Sequence, residues 1–193
     1  VLVCHGNNED IGEVDVENLA KLLNSNICLF DYAGYGLHSN MNASEGECKK
    51  DVIYVYNYLV IKYKLCPGDL VIYGRSLGTG VACYLARYLN FNKNTRIRAL
   101  VLISPFLSAV KIVSNINIFG DIFMNYLEAP KVSSPVLIIH GDKDDIVPVK
   151  NSIELSEYFK NLYELVILKN RCHNDMLSNE FYSIIRRFIF IYE

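Results

Sequence analysis

The sequence predicts an α/β fold: a mostly parallel, doubly wound sheet with helices on both faces. Two observations predict it. Short apolar runs rich in Val, Ile and Leu recur at residues 1–4, 27–30, 70–73, 99–103, 136–139 and 165–168, without the polar alternation of a sheet wetted on one side. Segments with helical spacing of apolar residues lie between these runs, and such alternation selects parallel strands joined by helical crossovers.

Each element can be justified in turn. Val1, Leu2, Val3 and Cys4 read as the middle of a buried strand, and with no initiator methionine or leader ahead of them the sequence is expected to be a fragment of a longer protein. Val14, Leu19, Leu22 and Leu23 mark the first helix, which leads to the strand at 27–30. Val52, Val55, Tyr56 and Leu59 mark the second helix, before the strand at 70–73. Val81, Tyr84, Leu85, Tyr88 and Leu89 mark the third, before 99–103. Residues 105–134 break this rhythm. They are too many for a simple crossover and carry helical pieces of Ile, Phe and Asn character, so a small cap over the carboxyl edge of the sheet is expected there. The strand at 136–139, a helix through Ile153, Leu155, Tyr158 and Phe159, the strand at 165–168 and a last helix through Phe181, Ile184, Ile185 and Phe188 complete the order.

Composition narrows the function classes. A chain of 193 residues, 51% hydrophobic, suits one domain with a sizeable core. The net charge of −2 and the lack of a dense Lys/Arg run leave no electrostatic footprint for nucleic acid or an anionic membrane. The six cysteines form no C-x-x-C pair and several sit in apolar segments, which reads as reduced thiols in a cytoplasmic setting. No apolar run approaches the ~18 residues of a membrane span, and no signal-peptide pattern is present.

The chemistry concentrates at residues 70–80, where Gly74-Arg75-Ser76-Leu77-Gly78 follows an apolar strand directly. A strand that reverses sharply into a helix holds its apical residue at positive φ, and glycines two positions away on either side let the strand end and first helical turn approach. Ser76 is thereby exposed as a candidate nucleophile. Other suggestive residues also follow strands, the edge at which open α/β sheets build sites. After the first strand, Gly6 in His5-Gly6-Asn7-Asn8 permits a turn in which the Asn7 backbone N–H, with that of Leu77, can form an oxyanion hole. After the fifth, residues 140–148 offer three carboxylates, Asp142, Asp144 and Asp145, any of which could orient a histidine. After the sixth, His173 is the one histidine in a loop following a strand near the chain's end. His5 and His140 precede glycines at strand ends and read as packing residues, while His38 reads as solvated. Serine, carboxylate and His173 occur in the chain order of nucleophile, acid and base on a nucleophile elbow. Metal-ligand spacing, G-x-G-x-x-G and G-K-[ST] are lacking, so no metal or other cofactor is expected.

These residues resemble the α/β-hydrolase superfamily and, within it, the Bem46-like group that includes the ABHD17-like depalmitoylases. The resemblance rests on His5-Gly6-Asn7 followed by Gly12, Asp31-Tyr32-Ala33-Gly34-Tyr35-Gly36, Ser44-Glu45, the serine pentad, Ser104-Pro105-Phe106, residues 135–141 with Asp144, and His173-Asn174-Asp175. It covers essentially the whole chain and implies an α/β-hydrolase fold with a triad of Ser76, Asp144 and His173. It also selects Asp144 from the three carboxylates. The implied activity is a serine hydrolase cleaving an acyl ester or thioester, with an S-acylated protein as one substrate class. Lysophospholipase, carboxylesterase, serine peptidase and a catalytically idle interaction module are the alternatives. Two departures stand out. Lys169-Asn170-Arg171-Cys172 lacks the glycine the family places shortly before its histidine, so a different loop path is expected. The strands and lipidated segment that precede residue 1 in that group are absent, so membrane-peripheral attachment could come only through upstream sequence. Without those strands, the one at 27–30 would be an exposed apolar edge.

Overall fold

The computed structural model describes residues 1–14, 16–112, 120–176 and 178–192. Their strands are β1 (Leu2–Cys4), β2 (Cys28–Leu29), β3 (Val71–Arg75), β4 (Ala99–Ile103), β5 (Val136–Gly141) and β6 (Leu162–Leu168). The helices are α1 (Val16–Leu23), α2 (Glu45–Tyr63), α3 (Leu77–Asn92), α4 (Asn125–Glu128), α5 (Lys150–Ser156) and α6 (Asn179–Ile191). The six strands form one sheet in the order β2-β1-β3-β4-β5-β6, and every neighbouring pair is parallel. The expected open α/β sheet is therefore present.

The apolar runs lack alternation because both sheet faces are covered. Leu2, Ile72, Leu100, Leu102 and Ile138 meet Val52 and Tyr56 of α2, Val81, Leu85 and Leu89 of α3, and Leu155 of α5. On the opposite face, Val3, Tyr73, Val101, Ile103 and Ile139 meet Leu23 of α1 and Phe181, Ile185 and Phe188 of α6. Fully burying one such side chain is worth about 1.5–3 kcal/mol, so these two layers dominate the stability.

Chain direction across the sheet decides where a site can form. From β1 the chain moves one way to β2 and then returns past β1 to β3, making β1/β3 the switch point whose carboxyl ends open a crevice. Register aligns those ends: Cys4 faces Gly74, Arg75 faces Ile103, Ile103 faces Ile139, and Gly141 faces Leu168. His5, Ser76, Ser104 and the loops after β5 and β6 thus emerge along one edge.

Three boundaries differ from expectation. β6 begins at Leu162, three residues before the apolar run, because it is an edge strand whose half-buried face admits Glu164, paired with Arg187 at 3.3 Å. β2 retains two residues and lies at the other edge. α5 ends at Ser156, and Phe159 reaches the core from beyond the helix. Of the cap expected at 105–134, residues 113–119 lie outside the described residues. Its described flanks pack inward: Phe106, Leu107 and Phe123 are buried, and the Phe123 N–H donates to Glu45 Oε1 at 2.9 Å. Among the described residues, no helix is long and apolar enough to cross a membrane.

Candidate active site

Ser76 stands at the β3–α3 junction with φ 50° and ψ −120°, a conformation costing about 1–3 kcal/mol that the surrounding structure must impose. Its N–H donates to the Ile103 carbonyl at 2.9 Å, and the Thr79 N–H and hydroxyl donate to its own carbonyl at 2.9 and 2.6 Å. The two glycines serve different neighbours. A Cβ on Gly74 would lie 2.6 Å from the Gly78 carbonyl oxygen and 2.7 Å from Ala82 Cβ, whereas one on Gly78 would collide with the Cys4 carbonyl of β1. The elbow is pressed against the neighbouring strand as well as its own.

The loops after β5 and β6 meet beside it. His173 Nδ1 lies 2.7 Å from Asp144 Oδ2, with the carboxylate fully buried. The same oxygen accepts the Ser104 hydroxyl at 2.7 Å and lies 3.1 Å from His140 Nε2. Oδ1 accepts the N–H groups of Ile146 at 3.0 Å and Val147 at 2.7 Å. Burial pushes the Asp144 carboxyl upward, but hydrogen bonds from His140, His173, Ser104 and Val147 outweigh it and hold the group well below the usual carboxylate range. Asp144 is therefore a resident anion. Of the three carboxylates left open by the residues alone, Asp142 instead accepts the Asn170 N–H at 2.6 Å, and Asp145 is exposed.

The loop ahead of His173 turns without a glycine. Asn170 adopts φ 56°, a left-handed position that asparagine tolerates better than most residues. The Lys143 N–H then donates to Arg171 O at 3.0 Å, and Cys172 N–H to Asp175 Oδ1 at 2.5 Å.

The turn after β1 is braced by the tyrosine-glycine loop. Tyr32 is fully buried and its hydroxyl donates to His5 O at 3.1 Å, while the Tyr35 hydroxyl donates to Asn7 Oδ1 at 2.7 Å. Gly36, at φ 50°, packs against the Asp31 carboxylate, whose Oδ1 accepts the Ile11 N–H at 3.0 Å. The Gly6 N–H is engaged by Glu9 Oε2 at 2.7 Å. Asn7 is exposed on this turn, and Leu77, as the first residue of α3, has no intrahelical acceptor for its N–H. His5 is buried, and burial lowers its imidazole below the usual histidine range.

Four residues escaped the sequence reading as parts of this edge: Glu9, Arg75, Ser104 and His140. His140 was expected to be a packing residue and is fully buried, but it also lies against the Asp144 carboxylate. Its i, i+4 spacing to Asp144 was a visible signal. Arg75 and Ser104 lay inside motifs that carry the resemblance but gave no sign of these contacts, which reach residues 40 or more positions away, and Glu9, whose bond to Gly6 depends on turn geometry, had no signal. Among the described residues, no three His, Cys, Asp or Glu side chains gather as a metal site.

Comparison with known proteins bears on the family and the fold. The model of the FSH1 serine hydrolase family matches residues 7–173. The chain is 30% identical to alpha/beta hydrolase domain-containing protein 17C of Xenopus tropicalis, over 98% of this chain and 61% of that protein. It is 29% identical to the human 17B protein, over 98% of this chain and 65% of that one. The chain thus spans less than two thirds of these relatives. A monoacylglycerol lipase from Paleococcus ferrophilus superposes with a TM-score of 0.72 at 18% identity, covering 100% of this chain and 94% of that one. Est1E of Butyrivibrio proteoclasticus, solved with ferulic acid, gives 0.73 at 19%, covering 99% and 88%. With a family model spanning most of its length and neighbours that share its sheet, the chain belongs to the FSH1 serine hydrolase family and has the α/β-hydrolase fold.

Proposed function

We propose that this single hydrolase domain cleaves an acyl ester or thioester through an acyl-enzyme on Ser76, with Asp144 and His173 completing the triad. The observation that carries the reading is the buried Asp144–His173 hydrogen bond of 2.7 Å at the edge where the strained Ser76 stands. Asp144 fixes the tautomer with the proton on Nδ1, leaving Nε2 to accept the Ser76 proton. Oγ then attacks the acyl carbonyl, and the oxyanion draws on the N–H groups of Leu77 and Asn7. His173 returns the proton to the departing alkoxide or thiolate. Water repeats the sequence, and the acyl group leaves as a carboxylic acid. No cofactor takes part.

Within this reading, the resemblance to ABHD17-like depalmitoylases favours the thioester of an S-acylated protein in the cytoplasm, with any membrane-peripheral attachment supplied by upstream sequence. The test is fluorophosphonate labelling of wild type and Ser76→Ala, followed by turnover of short- and long-chain esters and thioesters. Labelling only in the wild type, with preference for long-chain thioesters, supports the full reading. Preference for glycerol or lysophospholipid esters replaces the substrate, rapid peptide cleavage makes it a peptidase, and a folded wild type that never labels removes the enzyme reading.

A further inference from the structure

The residue ahead of the nucleophile points away from it. The register of β3 places Arg75 on the sheet face shared with Tyr73, opposite the α3 core, and there its guanidinium reaches three partners. Nη2 donates to the His173 carbonyl at 3.0 Å and to Asn174 Oδ1 at 2.7 Å. Nη1 pairs with Glu9 Oε1, and the other oxygen of that carboxylate accepts the Gly6 N–H at 2.7 Å. One cation thus joins the elbow, the histidine loop and the turn ahead of Asn7.

We infer that Arg75 is a positioning residue that latches the histidine loop and the oxyanion turn to the nucleophile elbow. The inference rests on the triad proposed above. Arginine suits the task because its planar fork presents several donors in fixed directions, whereas a lysine ammonium is a point charge on a flexible stem. Space behind the loops makes the latch consequential. Arg75, Glu9 and His173 all line a cavity of about 440 Å³ between the sheet and the α1/α6 side, and among the described residues the Arg75 guanidinium is one of the groups that tie the histidine loop across it. Glu9 acts in the same unit, transmitting the Arg75 position to Gly6 and so to the backbone of Asn7.

The experiment compares Arg75→Met, Arg75→Lys, Glu9→Gln and the Arg75→Met/Glu9→Gln double variant on a short-chain acyl ester. In Arg75→Met, kcat falls roughly ten- to a hundredfold with KM within about twofold, since small misplacements of reacting groups carry penalties of that order. Arg75→Lys recovers part of the loss. Glu9→Gln, which keeps an acceptor for Gly6, loses less, and the double variant is no worse than Arg75→Met because the two residues act in series. A readout independent of turnover is hydrogen exchange: in Arg75→Met, amides at 6–9 and 172–175 exchange faster while β4 and β5 keep their protection. A change confined to KM would make Arg75 a substrate-binding residue and overturn the latch. Unchanged kcat with unchanged exchange in both loops would do the same. If the wild type itself neither labels nor turns over, the triad reading fails, while exchange in the two loops still decides whether the latch exists.

Discussion

The loop after β5 and the turn after β1 flank the same serine but are built on opposite terms. Asp144 is buried and surrounded by donors: the Ser104 hydroxyl, two histidine rings and two backbone N–H groups. The β1 turn exposes Asn7, holds Asn8 at φ 60°, and leaves His5 Nε2 without a hydrogen-bond partner among the described residues, 3.6 Å from Asp31. On the catalytic reading proposed above, the difference follows from when each charge exists. A resident carboxylate has to be solvated by the protein at all times, so its donors are already in place. An oxyanion forms only in the transition state, and donors meant for it have to stay open until substrate arrives.

The strongest way to break this contrast is to remove the resident charge. In Asp144→Asn the imidazole loses the acceptor that sets its tautomer, and kcat/KM for an ester is expected to fall by about 10³–10⁴. Stability falls too, by roughly 1–3 kcal/mol, because buried donors arranged around an anion are left mismatched. The pH dependence has a definite sign. A carboxyl depressed in the folded state stabilises fully above its unfolded pKa of about 3.9 and loses that contribution as pH falls towards the folded value. The gap in unfolding free energy between wild type and Asp144→Asn therefore closes in acid, beginning below about pH 4. Denaturant titrations at several pH values measure it, and a gap that persists undiminished in strong acid would deny the carboxylate its role.

Ser104→Ala tests the next layer. Ser104 is fully buried at φ 47°, so alanine inherits the same backbone strain and the change isolates the hydroxyl donated to Asp144. A loss of about 1–2 kcal/mol is expected, with kcat reduced less than in Asp144→Asn. Thermal unfolding and ester turnover would show both. Equal kinetic losses in the two variants would mean that Ser104 does more than solvate the acid.

What could be read from the sequence followed distance along the chain. The strands at 70–73, 99–103 and 136–139 were legible because burial on both faces leaves a continuous apolar run, and the elbow because glycine, serine and a preceding strand are contiguous. The start of β6 was not, because an edge strand admits Glu164 and breaks that pattern. At the site, the order of serine, carboxylate and histidine was visible, but the choice of Asp144 depended on resemblance; in the structure it is the carboxylate that His173 meets. The Arg75 contacts at 173 and 174 lie 98 and 99 residues away and left no local trace.

On the open side, single substitutions should weigh less. Tyr35→Phe removes a hydroxyl from Asn7 Oδ1 at an exposed position, so stability should change by no more than about 0.5 kcal/mol. Its effect belongs in kcat, as a severalfold loss, if the Asn7 side chain steadies the backbone N–H proposed for the oxyanion. Tyr32→Phe should do the reverse. That hydroxyl is buried on His5 O, and its removal should cost about 0.5–1.5 kcal/mol whatever happens to kcat. If both variants lose stability equally, the two tyrosines brace the turn in the same way and the contrast between buried and open contacts fails within this loop.

The smallest expected effect is that of Asn170→Gly, at a position where backbone handedness can be separated from side-chain chemistry. With φ at 56°, Asn170→Gly relieves a mild left-handed strain and gives up some chain stiffness in the unfolded state, so the two changes offset to within about 0.5 kcal/mol. Asn170→Ala keeps the strain without asparagine's tolerance for it and should lose about 1 kcal/mol. The bond from its N–H to Asp142 survives both substitutions, as does the approach of the Lys143 N–H to Arg171 O. Melting temperatures would rank alanine below glycine, with ester turnover close to wild type for glycine. Equal values for glycine and alanine would show that the loop is held by its contacts alone. A clear penalty for alanine would show that one left-handed residue ahead of His173 is the requirement, met here by asparagine.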